Sequence, residues 1–320
     1  MMEFEILEQE FAKYNNVNGC VAVNTGTAAL HVALEALQLP PNSEVIIPQY
    51  TMIATAWAVY YSRLTPRFID CETDLLININ QIENEINSNT KVIMITHVYG
   101  RVVNMDAIMK IANKYNLRVI EDAAEAHGCV WNNKKVGSHD IGCFSFYRNK
   151  IIHGEEGGAV ISNDLDYLNI VRDMKSMAFG IKHDYSHQTI GFNYRMTNSQ
   201  AQLILNSLYN VDTNIKIRRE NQKIYNSMID PMYHMPDRDV PWVYDIHVPN
   251  NNIVHKLNSL GIAARYGFKP VSISSPFNSN INTTNSLKLS KHIMYLPVGP
   301  DENISYNSNM LNNILNENNL

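Results

Sequence analysis

Short apolar runs alternate with amphipathic stretches through the first half of the chain. The runs are rich in Val, Ile and Phe and are bounded by Gly, Pro or polar residues, which is typical of buried strands. Between the early runs, residues 51–61 and 105–115 carry apolar side chains at helical spacing. Alternating strands and helices predict βαβ units, and therefore a largely parallel sheet with helices on both faces. The predicted strands are residues 45–47, 67–69, 92–96, 118–120, 143–146 and 159–162.

A long helical pattern at about residues 199–228 separates this region from the rest of the chain. Beyond it, residues 242–248 alternate between apolar and polar positions like a strand, and residues 254–260 have the pattern of a helix. This order of elements predicts a large α/β domain over residues 1–205 and a small α+β domain over residues 206–320, linked by the long helix.

The composition is that of a globular protein, and it indicates which classes of partner and which cellular compartment to expect. The chain has 320 residues and a net charge of −5, which gives no reason to expect nucleic acid as a partner. No apolar run approaches the ~20 residues of a membrane span, so we expect no contact with a membrane. The four cysteines are scattered without a Cys-x-x-Cys pair, so we expect reduced thiols and a cytoplasmic protein. The asparagine-rich residues 307–320 indicate either poor order or a biased genome.

Lys150 is the residue with the most specific chemical meaning. It follows the apolar, aromatic run 143–146 by a few residues, and ligands of open α/β sheets bind beyond the carboxyl ends of the strands. A lysine amine can form an imine with an aldehyde and then move protons, whereas a histidine cannot form that bond. The alternative is an ordinary solvated lysine on a loop, which is what most single lysines are.

A second apolar run ends in acids instead of a turn. Asp122 stands at its end, where a carboxylate can hold a cationic ring nitrogen, as pyridoxal phosphate (PLP) chemistry requires. With equal weight, Asp122 can cap the turn or helix that follows. Three residues further on, Glu125 is placed either to reach the phenolic oxygen of the same ring or to face water.

A third pattern is a strand-like run at residues 20–23, followed by a small polar turn and a helix. Gly26 and Thr27 open this helix, whose free backbone N–H groups and dipole suit a phosphate. No Lys-Ser/Thr pair follows at the spacing of a Walker A loop, so a nucleotide-binding P-loop is not indicated.

Together these runs resemble the fold-type-I PLP-dependent sugar-nucleotide aminotransferases known as the DegT/DnrJ group, and perosamine synthases in particular. The resemblance extends from about Phe4 to Val298. It implies the PLP-dependent transferase fold of type I, with a mostly parallel sheet flanked by helices in the large domain and a small carboxy-terminal α+β domain. Further matching runs are residues 48–56, 96–100, 191–196, 240–246 and 295–298.

The resemblance implies catalytic roles at positions that match the family's motifs. Lys150 matches the lysine that forms the Schiff base with PLP, Asp122 matches the partner of the pyridine nitrogen, and Glu125 matches the residue at the phenolic oxygen. Met52 stands where many members place an aromatic residue against the cofactor ring. A methionine can pack on a ring face as well, with a looser hold on its orientation.

Other matching positions concern the cofactor phosphate and the partner subunit. Gly26 and Thr27 match the phosphate-binding turn, and Ser145 matches a phosphate-binding serine. Asn193 matches an asparagine that reaches the phosphate bound by the neighbouring subunit. The resemblance therefore implies a homodimer whose active sites are shared between the two chains.

The implied reaction is transamination of a nucleotide-linked keto sugar, with L-glutamate as the amino donor. A keto group at C4, as in an NDP-4-keto-6-deoxyhexose, is favoured over one at C3. Related sugar dehydratases carry histidine in place of the lysine, so Lys150 argues against dehydration. A third alternative is a binding or regulatory protein that kept the fold and lost catalysis.

Three residues are candidates for the substrate mouth. His187 and Arg195 can line it or support the loop of Asn193, and Arg265 can meet the nucleotide diphosphate or be merely solvated. Histidines and acids show no metal-ligand spacing such as His-Glu-x-x-His, so no catalytic metal is expected.

Overall fold

The structure is a computed structural model that describes residues 2–180, 185–277 and 284–318. Its centre is a seven-stranded sheet in the order β1-β9-β8-β5-β4-β2-β3. Only β9 runs antiparallel to its neighbours, which are β1 and β8. The predicted, mostly parallel sheet is confirmed. The strands are β1 Gly19–Val23, β2 Glu44–Pro48, β3 Thr65–Ile69, β4 Thr90–Thr96, β5 Arg118–Asp122, β8 Ile141–Ser145 and β9 Gly158–Ser162, with a small hairpin of β6 Val130–Trp131 and β7 Lys134–Lys135.

Helices cover both faces of this sheet, because its strands are apolar on both sides. In β4, Val92 and Met94 join one core with α2 and α3, whereas Ile93 and Ile95 join another with α4 and α5. Continuous apolar strands are the signature of a parallel sheet buried between helix layers. The helices of this part are α1 Glu3–Asn15, α2 Gly26–Glu35, α3 Ile53–Tyr61, α4 Ile79–Glu85, α5 Met105–Tyr115, α6 Leu165–Lys175 and α7 Asn198–Tyr209.

The predicted long helix at about residues 199–228 is two helices. The first, α7, ends at Tyr209, and the second, α8, spans Val211–Met228. Asn210 lies between them with φ −105° and ψ 8°, and its side-chain amide donates to the carbonyl of Asn206 at 2.8 Å. Asparagine side chains compete with the backbone for hydrogen bonds in this way, which favours a break in the helix.

The carboxy-terminal part forms a separate three-stranded antiparallel sheet in the order β10-β12-β11, with its own hydrophobic core. The last helix, α11, corrects the expectation of poor order for residues 307–318, the described part of the asparagine-rich stretch 307–320, since Leu311 and Leu315 are buried in that core. The domain boundary between residues 205 and 206 remains a prediction. The elements are β10 Tyr244–His247, α9 Ile253–Ser259, β11 Arg265–Tyr266, α10 Thr284–Leu289, β12 Ile293–Leu296 and α11 Ile304–Asn318.

A buried ion-pair cluster ties the small sheet to the large one. Arg101, which follows β4, contacts both carboxylate oxygens of Asp245 in β10 at 2.9 and 3.0 Å. Arg238 contacts the same carboxylate at 2.7 Å. Removing one partner of a buried pair leaves an uncompensated charge, so this cluster holds the two sheets in one relative position.

Within the described residues, no helix combines the length and the apolar character needed to cross a bilayer.

Glu121, the neighbour of Asp122 in β5, is a fully buried acid on the other side of the strand from the cavity described below. Its carboxylate accepts hydrogen bonds from the backbone of Gly137 at 2.8 Å and of His139 at 2.9 Å. His97 donates to it from Nε2 at 3.1 Å, because Nδ1 of that ring accepts from the backbone of Val103. Burial raises the pKa of Glu121, but the hydrogen bonds of His139 and His97 outweigh it and lower the pKa to about 2.

The lowered pKa of Glu121 predicts that the free energy of unfolding decreases at acid pH. A carboxyl whose folded-state pKa is depressed stabilises the fold above its unfolded pKa and loses that contribution as the pH falls through the folded pKa. We therefore expect Glu121 to contribute up to about 3 kcal/mol at neutral pH, lost between about pH 5 and pH 2. Urea unfolding of the parent and of Glu121→Gln should show a gap in unfolding free energy that narrows across this range. A gap independent of pH would contradict the assignment.

Candidate active site

A cavity of about 540 Å³ lies at the carboxyl ends of β1, β4, β5 and β8, between the large sheet and the small one. This is the edge at which open α/β sheets bind ligands. Seven of the residues predicted from the sequence line it, although they come from four separate segments of the chain. They are Gly26, Thr27, Met52, Asp122, Glu125, Ser145 and Lys150.

Lys150 lies in the turn after β8 and is only 9% exposed. Its Nζ is 3.8 Å from Oε1 of Glu125 and 3.7 Å from the centre of the Trp242 ring. Burial lowers the pKa of Lys150, while the carboxylates of Glu125 and Asp122 act in the opposite direction. The side chain is therefore buried in the cavity and is not a solvated loop lysine.

Trp242 is a site residue that the sequence did not single out. Its indole N–H donates to the carbonyl of Asn149 at 2.8 Å, and its own carbonyl accepts from Arg218 at 2.7 Å. The ring face is thus fixed beside the lysine by contacts from both sides. The one available signal was its place in the matching run 240–246, since nothing local connects it to a lysine so far away in sequence.

Asp122 is the last residue of β5 and is almost completely buried. Oδ1 accepts from the backbone of Ala124 at 3.2 Å, and Oδ2 accepts from the hydroxyl of Thr55 at 2.8 Å. The sequence left open whether Asp122 caps the following turn or faces a ligand. The two are compatible, because Oδ1 caps the turn while the side chain also lines the cavity. Burial raises the pKa of Asp122, and the hydrogen bonds of Thr55 and Ala124 oppose this.

Glu125 also lies inside and does not face water. Its Oε2 accepts from the backbone of Tyr99 at 3.0 Å, and its Oε1 is the oxygen nearest to Lys150. Burial raises the pKa of Glu125 to about 7, and the charge of Lys150 acts against the shift. Near neutral pH this carboxyl can therefore serve as a hydrogen-bond donor or as an acceptor.

The first turn of α2 forms the anion-binding end of the cavity. Thr25 caps the helix by accepting from the backbone of Ala28 at 3.1 Å, and the helix start leaves backbone N–H groups free for a ligand. A Cβ on Gly26 would lie 2.6 Å from Cβ of Ser145, and one on Gly158 would lie 2.3 Å from the carbonyl oxygen of Thr25. Only glycine permits this approach, which brings the Ser145 hydroxyl beside the helix start.

Four predicted residues do not line this cavity within one chain. Asn193 is exposed, and its backbone pairs with that of Ser176. Nδ1 of His187 lies 3.0 Å from the carbonyl of Ala178. Arg195 lines a different cavity, of about 760 Å³, beside α1 and α6, and Arg265 is exposed on β11. Their predicted roles remain predictions, and those of Asn193, His187 and Arg195 depend on a second copy of the chain.

Among the described residues, no group of three or more His, Cys, Asp or Glu side chains is arranged to hold a metal ion.

The mostly parallel sheet with helices on both faces is the architecture of the PLP-dependent transferases of fold type I. The chain belongs to the DegT/DnrJ/EryC1/StrS aminotransferase family, whose profile matches residues 2–306. This is a family of PLP-dependent sugar-nucleotide aminotransferases, so the protein is an enzyme of that kind.

Individual relatives agree with this assignment. The chain is 37% identical to a GDP-perosamine synthase of Caulobacter vibrioides over 286 residues, which are 84% of this chain and 77% of the relative. It is 39% identical to a GDP-perosamine synthase of Escherichia coli O157:H7, over 74% of this chain and 66% of the relative. Among solved structures, DesV of S. venezuelae superposes with a TM-score of 0.89 at 27% identity, covering 98% of this chain and 89% of that one.

Proposed function

We propose that this enzyme transfers an amino group from L-glutamate to a nucleotide-linked keto sugar, with an NDP-4-keto-6-deoxyhexose as the substrate and pyridoxal phosphate as the cofactor. The observation that carries the proposal is the burial of the Lys150 amine beside Glu125, in the cavity that Asp122 also lines. The likeness to GDP-perosamine synthases at 37% and 39% identity supports a sugar nucleotide as the substrate.

The residues of the cavity fit the cofactor. Gly26, Thr27 and Ser145 would hold the phosphate, because free backbone N–H groups and a hydroxyl converge there. Asp122 would pair with the ring nitrogen, and Glu125 would meet the phenolic oxygen. Met52, just before α3, would contact the ring face. When bound, pyridoxal phosphate supplies an aldehyde carbon for the lysine and a ring that takes up electrons.

In this proposal Lys150 is the group that moves the proton. A general base must be a neutral amine near the working pH, and burial lowers the pKa of Lys150 in the required direction. Trp242 and Glu125 limit the positions that Nζ can take, because the first packs under it and the second attracts it. Lysine at this position also speaks against the dehydratase alternative.

A homodimer with shared active sites completes the proposal. Large apolar side chains are exposed at the cavity and on α3, namely Met52 at 51%, Tyr60 at 53% and Tyr61 at 50%. An exposed apolar patch of this kind is typical of a protein interface. The partner chain would then bring Asn193 to the phosphate, with His187 and Arg195 at the substrate mouth, and Arg265 would meet the nucleotide diphosphate.

We also place the enzyme in the cytoplasm, because its four cysteines are free and buried.

The proposal is tested by incubating the purified protein with pyridoxal phosphate, L-glutamate and a small panel of keto-sugar nucleotides that differ in the position of the keto group. Mass spectrometry should detect the amino sugar, with the 4-keto compounds converted fastest. Loss of water from the sugar without amination would favour a dehydratase. No change in any compound, with cofactor bound, would favour a catalytically inactive binding protein.

Asn193→Ala should weaken retention of pyridoxal phosphate by about 10-fold or more, which corresponds to one lost hydrogen bond to a charged group. Equilibrium dialysis measures the change, and Asn80→Ala, an exposed asparagine on α4, is the matched control.

Mixing the Lys150→Ala and Asn193→Ala proteins gives a sharper test of the shared site. A mixed dimer contains one site with both changes and one intact site, so activity should reappear. Absence of rescue would contradict a shared site.

A further inference from the structure

Three buried threonine hydroxyls form a continuous chain that ends on the Asp122 carboxylate. Thr55 in α3 donates to Oδ2 of Asp122 at 2.8 Å. The hydroxyl of Thr51, in the turn before α3, lies 3.0 Å from that of Thr55 and 2.9 Å from that of Thr96 at the end of β4. All three residues are at most 3% exposed. The first and last members of this series of hydrogen bonds lie on neighbouring strands, since Thr96 pairs with Asp122 in the register of β4 and β5.

The charge of the Asp122 carboxylate decides which hydroxyl donates in each of these hydrogen bonds. A hydroxyl has one hydrogen to donate, and an ionised carboxylate can only accept. Because the hydrogen of Thr55 goes to Asp122, Thr51 must donate to Thr55. Thr96 must then donate to Thr51. Thr51 and Thr55 thus each accept one hydrogen bond and donate one, while Thr96 donates at the start of the series, so that each donor is polarised towards the carboxylate.

A proton on Oδ2 of Asp122 would reverse the hydrogen bond with Thr55, because Asp122 would then donate. Either the hydrogen of Thr55 would lose its acceptor, or the bonds of Thr51 and Thr96 would reverse as well and the hydrogen of Thr96 would need a new acceptor. The arrangement therefore stabilises the charged carboxylate against its own burial, and Oδ1 is held in addition by the backbone of Ala124.

From this geometry we propose that Thr51, Thr55 and Thr96 are positioning residues that keep Asp122 ionised and oriented towards the cavity. The inference rests on the proposed function, in which Asp122 pairs with the cofactor ring nitrogen. Thr51 and Thr55 do not line the cavity and act on the reaction through Asp122, whereas Thr96 also lines the cavity.

Other titratable groups surround Asp122 and stay unchanged in the test. Lys150 and Glu125 line the same cavity, His97 follows β4, and Cys143 lies beside Asp122 on β8. Differences between variants of Thr51 and Thr55, which lie outside the cavity lining, can therefore be assigned to the series of hydroxyl groups.

The test uses the intact protein loaded with pyridoxal phosphate that is isotopically labelled at the ring nitrogen. Nitrogen NMR then reports the pH at which the ring loses its proton. In Thr55→Val the loss should move to lower pH by about one to two units, as expected for one lost hydrogen bond to a charged group. Thr51→Val and Thr96→Val should move it in the same direction by less. The matched variants Thr51→Ser and Thr55→Ser keep the hydroxyl and should titrate like the parent.

The possible outcomes are distinct. If the valine variants do not fold, the comparison of Thr51→Ala with Thr51→Ser replaces them, with near-ultraviolet circular dichroism as the check on the fold. Valine or alanine variants that bind the cofactor and titrate like the parent overturn this inference and leave the proposed function intact. A parent protein that binds no pyridoxal phosphate overturns both.

Discussion

Lys150→Ala is expected to lower the rate of transamination by about 10⁴-fold or more and to abolish the covalent attachment of pyridoxal phosphate. One side chain supplies both the bond to the cofactor and the proton transfer, and loss of a positioned acid or base alone costs about 10²–10⁴-fold. No other lysine lines the cavity in the part of the chain that the structure describes, so no neighbour can replace it. The fold should survive, because Glu125, which loses its charged partner, keeps the hydrogen bond from the backbone of Tyr99 and has a pKa of about 7, so it can take up a proton.

Borohydride reduction followed by peptide mapping measures the attachment directly, and single-turnover kinetics with L-glutamate measure the rate. Lys135→Ala is the matched control. Burial lowers the pKa of Lys135 to about 8, yet its Nζ lies 3.1 Å from the centre of the Tyr14 ring and outside the cavity. We expect this variant to keep both label and activity. A label that persists in Lys150→Ala would refute the assignment and with it the proposed mechanism.

Asp122→Asn should lower kcat by about 10²–10³-fold while the protein remains folded. An asparagine oxygen can still accept from Thr55, so the packing of the site is largely kept. The lost quantity is the negative charge that would stabilise a protonated ring nitrogen, and removal of one preorganised electrostatic contact costs about this much.

Asp140→Asn is the control for this second change. Asp140 forms a two-point ion pair with Arg118 at 2.7 and 2.9 Å, close to β5 but outside the cavity. Its loss should reduce the unfolding free energy and leave the kcat of the folded protein unchanged. Steady-state kinetics and urea unfolding separate the two effects. A kcat of Asp122→Asn within a factor of about two of the parent would show that Asp122 does not serve the ring nitrogen.

Predictions from the sequence succeeded where the signal was local. The apolar run before Lys150 and the acids that end β5 were readable because strand length and flanking residues reflect burial. In a parallel sheet, the carboxyl ends of the strands meet at one edge, so two residues just beyond such runs come together in the fold. The same reasoning located the start of α2 at Gly26, where the structure also begins that helix.

Predictions failed where the contacts of particular side chains, and not the local pattern, determined the secondary structure. The helix predicted at about 199–228 breaks at Asn210, which bonds to its own preceding turn. The asparagine-rich residues 307–318 belong to α11, because Leu311 and Leu315 are spaced to meet the small core. In both cases composition suggested one state, and packing or local hydrogen bonding selected another.

Local pattern was thus enough to indicate the class of sheet and the edge at which the cavity lies, whereas the choice of Lys150 and Asp122 over their ordinary alternatives came from the resemblance to the aminotransferase family. Folding in three dimensions was needed to place the Trp242 ring beside Lys150 and to join the threonine hydroxyls on Asp122. The physical reason is range. Periodicity reports which face of one element is buried, whereas these contacts join segments far apart in the chain. The hydroxyl groups meet Asp122 only when α3 packs beside β4 and β5, and Trp242 meets Lys150 only when the two sheets pack around the cavity.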